Sequence, residues 1–260
     1  MIEELLHIYE ESLLNRGQPA SFFNPTLIFN EGWLLRAVLR EWKLRPGPSR
    51  LPFLPFPTDA TVYSEGQLCS PFAPRQRGDR LAEAHTHVDG IVGDFVIGAT
   101  RSGIEVDADC RYLAVFEAKL ASPIAGGARN APGYDQVTRI VGCLINSLLR
   151  AGCADPRSVH VVVLYPVDHR GINPARYSKS YLERQIAARV EGFGLSPTAA
   201  FARGWRALLE AVQLTFVTWE EALAEIGNGP LRQFYQHCRE LAPIAPTAED
   251  HMPQMVIGKS

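Results

Sequence analysis

The chain has 260 residues, 46% of them hydrophobic and 21% charged, with a formal net charge of −2 at pH 7. That is enough apolar material for one large buried core, and it excludes a fibrous, collagen-like or wholly disordered chain. The near-neutral balance excludes a basic surface spread over the whole molecule, so any nucleic-acid contact has to be local. The five cysteines, Cys69, Cys110, Cys143, Cys153 and Cys238, are odd in number and contain no Cys-x-x-Cys pair, which argues against a cysteine zinc site. Without a basic start or an apolar stretch of about 18 residues, the expectation is a reduced, cytoplasmic protein that makes no membrane contact.

In chain order, residues 2–15 read as a short amphipathic helix and residues 30–43 as a second, with Asn30 as its cap and Pro46 and Pro48 beyond its end. Residues 46–57 are too proline-rich for a helix or a central strand and are expected to run extended over the surface. A strand is expected at 60–64, and a polar, basic loop at 70–80. Two apolar runs, 89–98 and 112–118, read as strands of a hairpin with a long connection, 99–111. A loop over 122–132 leads to residues 133–151, whose apolar positions Val137, Ile140, Val141, Leu144, Ile145 and Leu148 have helical spacing. Residues 159–165 form a buried strand. Two helices, 174–191 and 200–212, precede a strand at 214–218, and two further helices, 219–226 and 231–241, close the series. The helix between strands 112–118 and 159–165 suits a crossover joining parallel strands, so the class is α/β with a mixed sheet. Three segments result: a lead-in over 1–29, one domain over 30–242 with a helical insertion at about 174–212, and a flexible tail over 243–260.

The chemistry begins at Glu117-Ala118-Lys119. On a strand, alternate side chains share a face, so Glu117 and Lys119 point the same way at the end of an apolar run. A carboxylate and an amine there are costly unless paired or liganded. A second Glu-x-Lys, Glu41-Trp42-Lys43, lies on a helix, where residues two apart do not face each other. The preceding strand offers two carboxylates. A hairpin folded around residues 101–103 sets Asp89 opposite Glu117, whereas one folded nearer Ile104 and Glu105 brings up Asp94. Asp89 is preferred because it stands at the mouth of an apolar strand, and Asp94 is retained as the alternative. Glycines at 90 and 93 allow a bulge that would reverse the parity.

An acid at the start of one strand followed by Glu-Ala-Lys at the end of the next resembles the PD-(D/E)XK nuclease superfamily, with Val88 where that family usually has proline. Glu31, within Phe29-Asn30-Glu31-Gly32-Trp33, occupies the slot of the glutamate that the family often carries on a helix before the sheet. Tyr134, Asp135, Gln136 and Arg139 suit the polar helix that often follows the lysine strand. The resemblance covers about residues 30–165 and implies a restriction-endonuclease-like αβββαβ core. It also implies a Mg²⁺- or Mn²⁺-dependent nuclease acting on nucleic acid, DNA above all, in restriction, defence or repair. Asp89, Glu117 and the carbonyl of Ala118 would hold the metal. Lys119 would orient water or stabilise charge, and Glu31 and Gln136 would complete the catalytic set. Arg75, Arg77 and Arg80 are candidate phosphate grips, Arg129 and Asn130 candidate substrate contacts, and Tyr134 a candidate base-stacking residue. The insertion is a candidate specificity or homodimer surface.

Two other readings compete. His85-Thr86-His87-Val88-Asp89 has metal-ligand spacing and resembles the start of the metallo-β-lactamase-type motif, which implies a zinc-dependent hydrolase using His85, His87 and Asp89. In the other, a nuclease-like fold has lost catalysis and serves as a nucleic-acid- or protein-binding module.

Overall fold

The computed structural model describes residues 6–7, 28–45, 47–83, 85–98, 103–127, 131, 133–153 and 156–242. Of the expected helix at 2–15, only Leu6 and His7 are among them, both helical. The expected tail, 243–260, lies outside the described residues.

Helix α1, Glu31–Leu44, starts where Asn30 turns extended and its side chain accepts the Trp33 N–H at 3.1 Å. Its buried residues Leu34, Leu35, Val38, Leu39 and Trp42 recur at helical spacing and make one apolar face. Three strands follow: β1 (Thr61–Cys69), β2 (His85–Gly93) and, after a small two-stranded sheet of β3 (Phe95–Ile97) and β4 (Ile104–Val106), β5 (Tyr112–Ala118). Helix α2, Gln136–Ala151, leads to β6 (Ser158–Tyr165). A short 3₁₀ turn, Pro174–Arg176, helix α3 (Lys179–Phe193) and helix α4 (Ala200–Ala211) lead to β7 (Val212–Thr218), and helices α5 (Trp219–Ile226) and α6 (Gly229–Leu241) follow.

The main sheet runs in the order β1-β2-β5-β6-β7. Its first two pairings are antiparallel and its last two parallel. The molecule is therefore mixed α/β, with a five-stranded mixed sheet between helices. One face packs α1, α5 and α6. The other packs α2, α3 and α4. Helices α3 and α4 supply Leu182, Ile186, Phe193, Phe201, Trp205, Leu208 and Leu209 to that second core, so residues 174–212 close a face of the sheet.

Three expectations change. The proline-rich segment does not simply cross the surface, because Phe53 and Phe56 are buried against Trp42 and Phe116. Nor does it run extended: it folds through two turns, closed by the Leu54 N–H on the Leu51 carbonyl and the Ala60 N–H on the Pro57 carbonyl, and the Lys43 ammonium donates to the carbonyls of Pro57, Thr58 and Ala60. The run at 89–98 breaks at Asp94, and its second half pairs with β4 inside the expected loop 99–111. Gly93 makes that break, since its φ is +149° and a Cβ there would lie 2.2 Å from the Tyr112 carbonyl oxygen. Finally, His85-Thr86-His87-Val88 extends β2 backwards. Thr86 and Val88 are buried there, and Thr86 meets Cys143 of α2.

Candidate active site

Strands β2 and β5 pair only over four residues, from Gly93↔Leu113 to Gly90↔Phe116. The pair that would come next is Asp89 and Glu117, and there the ladder stops. The same place is irregular on the other side of β2. Register runs through Ser64↔Gly90 and resumes at Gly66↔Val88, leaving out Glu65 and Asp89. Glu65 is left-handed, with φ +58°, a costly conformation for a residue with a side chain. Across this irregularity Val88 and Ile91 face the same core, which regular alternation would forbid. Gly90 allows α1 to come close, as a Cβ there would sit 2.8 Å from Leu39 and 3.1 Å from Leu35. Asp89 is thus presented at an opening in the sheet beside the first turn of α1.

Five side chains meet at this opening. The Ala118 N–H donates to Asp89 Oδ2 at 2.7 Å, so the carboxylate takes the place of a ladder carbonyl. Lys119 Nζ lies 2.7 Å from Glu117 Oε1, and Gln136 Nε2 donates to the same oxygen at 2.7 Å. The backbone of Lys119 is fixed from two sides: its N–H donates to the Leu164 carbonyl, and its carbonyl accepts the Trp219 indole N–H, both at 2.8 Å. Glu31 accepts the Leu120 N–H and lies within the fields of Lys119 and Asp89. The sequence expectation of Asp89, Glu117, Lys119, Glu31 and Gln136 as one constellation corresponds to one place in the fold.

The electrostatics are those of crowded carboxylates. Burial pushes Glu117 up to about 8, and Asp89 adds to the rise, against the opposing effect of Lys119. Burial also raises Asp89, with the Ala118 N–H and Lys119 pulling the other way. Glu31 is raised by burial and by Asp89, and lowered by Lys119. Glu117 is 2% exposed, and its Oε2 is buried without a hydrogen-bond partner. A buried carboxylate oxygen with open lone pairs, among other carboxylates, fits a hard divalent cation that takes oxygen ligands. Asp89 and Glu117 are the residues that would hold it. Among the described residues, no three Asp, Glu, His or Cys side chains already form a closed metal cage.

A cleft of about 670 Å³ opens here, its wall including Glu31, Trp33, Arg36, Glu65, Asp89 and Ser122. Glu117 and Lys119 do not themselves line it. Glu65 and Arg36 escaped the sequence reading. Arg36 donates to Ser64 Oγ at 2.9 Å and pairs with Glu65 at 3.2 Å. The one available signal was Glu65-Gly66, an acid and a glycine interrupting the strand.

The remaining candidates lie elsewhere. Asp94 accepts the backbone N–H of Arg111 at 2.8 Å and of Tyr112 at 3.2 Å, at the start of β5, whereas Glu117 is near its end. Roughly 15–20 Å of strand separates them, so Asp94 is not the partner of Glu117. Tyr134 is buried among Phe72 and Arg189 and cannot stack on a base. Arg75 is tied to Asp79 at 2.8 Å and to the Phe193 carbonyl at 2.9 Å, which anchors its loop to the end of α3. Arg77 and Arg80 are exposed on the same loop. Arg129 and Asn130 lie outside the described residues. His85 and His87 are exposed, with His87 Nε2 3.1 Å from Gln67 Nε2, and they form no three-ligand cluster with Asp89. That arrangement gives the zinc reading no support. No described helix is long and apolar enough to cross a membrane.

Comparison with known protein families, curated proteins and solved structures finds no match for this chain.

Proposed function

We propose that the chain is a Mg²⁺- or Mn²⁺-dependent nuclease with a restriction-endonuclease-like core, cleaving phosphodiester bonds of nucleic acid, with DNA the first substrate to try. One observation carries this reading: Asp89, Glu117 and Lys119 come together where β2 and β5 part, in a site with more carboxylate than cation. The order of elements supports it too, since α1, three antiparallel strands of the main sheet, α2 and a parallel strand follow one another. A bound divalent cation would polarise the phosphate and lower the pKa of a water molecule. The protein's own part is positioning and charge. The Ala118 N–H holds Asp89 in a fixed orientation, and Gln136 and Lys119 hold Glu117 through one oxygen, leaving Oε2 for a ligand. Lys119, with its backbone pinned by Leu164 and Trp219, stabilises negative charge developing on the phosphate and orients the attacking water. Roles in restriction, defence or repair, a homodimer and a cytoplasmic location belong to the same proposal.

The test is cleavage of supercoiled DNA, linear DNA and RNA with Mg²⁺ or Mn²⁺, run beside Lys119→Ala and a chelator control. The proposal expects cleavage that both controls abolish. Equal cleavage by wild type and Lys119→Ala would overturn the assignment of the site. No cleavage of any substrate would leave a binding module.

A further inference from the structure

We infer that the cleft beside Asp89 receives an unpaired nucleotide, whose base stacks on Trp33, so that the preferred substrate is single-stranded or has an unpaired segment at the cut. This rests on the nuclease reading and adds the substrate's form to it. The first observation is Trp33 itself. The chain has four tryptophans, of which Trp42, Trp205 and Trp219 are fully buried and Trp33 is 38% exposed. It lies on the wall of the cleft that Glu31 and Asp89 also line, two residues along α1 from Glu31.

The second observation is how the indole is held. The Arg36 guanidinium stands 5.1 Å from the ring centroid and is itself fixed by Ser64 Oγ and Glu65. A cation held over the ring braces the indole as a platform. The bracing residues, Ser64 and Glu65, belong to the same irregular stretch of β1 that leaves Asp89 out of the ladder. Platform and reacting edge are therefore built by one local distortion.

The third observation is charge. The described wall of the cleft carries three acids, Glu31, Glu65 and Asp89, against one cation, Arg36, which Glu65 already neutralises. Duplex binding draws most of its affinity from many phosphate contacts with Lys and Arg. Such a wall cannot supply it, whereas stacking on an aromatic ring gains free energy from any base that is already unpaired. The cleft, about 670 Å³, falls within the range of small-ligand sites and has room for a nucleotide.

The experiment uses the full chain and a dodecamer of thymidylate, a dodecamer of uridylate and a mixed-sequence duplex of the same length. Binding is read with Ca²⁺ in place of Mg²⁺, by quenching of tryptophan fluorescence, to which Trp33 alone presents an exposed ring. Cleavage is read separately with Mg²⁺. The single strands should quench and compete at least about tenfold better than the duplex. Trp33→Ala should abolish the quench and weaken single-strand binding by at least about tenfold, while Trp33→Phe should retain much of the binding. The thymidylate and uridylate arms distinguish DNA from RNA as the source of the unpaired base. Cleavage of duplex and single strand at equal rates, unchanged in Trp33→Ala, would overturn the inference and leave the nuclease reading intact. Cleavage of nothing, with Trp33-dependent quenching retained, would overturn the nuclease reading and keep the stacking site. Loss of binding by Trp33→Ala and Trp33→Phe alike, with unchanged unfolding midpoints, would overturn stacking as the cause.

Discussion

Two glutamates, the half-buried Glu83 and the buried Glu117, lie on the same side of the sheet and are compensated in opposite ways. Glu83 faces cations in surplus: Arg189 donates to it at 2.9 Å, Arg139 stands 3.9 Å away, and the Ser70 hydroxyl adds a bond at 3.3 Å. Arg189 is in turn stacked over Phe72, 4.6 Å from its ring centroid. Glu117 faces anions in surplus. It shares one ammonium with Asp89 and Glu31, and its Oε2 has no partner. The cost of taking a carboxylate out of water applies to both, but only around Glu83 does the protein meet it from its own groups. The difference separates a site whose charge the protein balances itself from one that, on the proposed reading, is left for a ligand.

The largest expected effect breaks the satisfied site. The Arg189 side chain is 1% exposed, and Arg189→Ala strands Glu83 while removing the stack on Phe72. Unfolding in urea should show a loss of about 3–5 kcal/mol. A loss below about 1 kcal/mol would mean that Glu83 reaches water, and the contrast would collapse.

Next comes the unsatisfied site, where stability and activity should part company. Glu117→Gln removes a repelling charge and keeps an acceptor for Lys119 and Gln136. In chelator it should be as stable as wild type or more so, while cleavage falls by about 10²–10³-fold or more. If Glu117→Gln destabilised as much as Arg189→Ala, Glu117 would be a structural ion-pair partner and its proposed role would fail.

Proton linkage sharpens the same contrast. Glu117 ordinarily titrates near 4.5 and is pushed up to about 8 in the fold by burial first and Asp89 second. The folded state therefore holds the proton more tightly than the unfolded chain. The stability tied to that proton is complete below about 4.5 and is lost as pH rises to about 8. Raised values for Asp89 and Glu31 act in the same direction. Measured in chelator, wild type should lose stability across this window relative to Glu117→Gln. About 10 mM Mg²⁺ should then restore more stability at about pH 9 than at about pH 6, because the cation binds the ionised carboxylates. Equal Mg²⁺ stabilisation at both values would remove Glu117 from the ligand set.

The strands, helices and their order were largely legible because each buried face repeats at its own period, as in Leu113, Val115 and Glu117 on one side of β5 and Ala114, Phe116 and Ala118 on the other. Glu117 and Lys119 were legible through strand alternation and Asp89 through its place on the preceding strand, whereas Glu31 was named only through the family resemblance. What escaped was whatever depends on two distant segments meeting. Phe53 and Phe56 are buried because α1 and β5 leave room for them, which a proline-rich composition does not convey. Tyr134 is buried because α3 folds back over it with Arg189. Glu65 enters the site through a left-handed backbone that no propensity favours for glutamate.

The smallest expected effect separates the two aspartates that the sequence left open. Both belong to the strand run that begins with β2, yet they serve opposite ends of its pairing with β5. Asp94 accepts the N–H groups of Arg111 and Tyr112, so it closes the backbone account where β5 begins. Asp89 accepts the Ala118 N–H where β5 ends, within the crowd of acids. Asp94→Ala should cost about 1 kcal/mol through lost hydrogen bonds and leave the cleavage rate and its Mg²⁺ dependence unchanged. Asp89→Ala should cost a similar amount for its one bond, or less once the charge repulsion is relieved, and abolish cleavage. The pair of variants thus matches in structural cost and differs in chemistry. A loss of cleavage in Asp94→Ala at unchanged stability would move the reacting edge to the other end of β5.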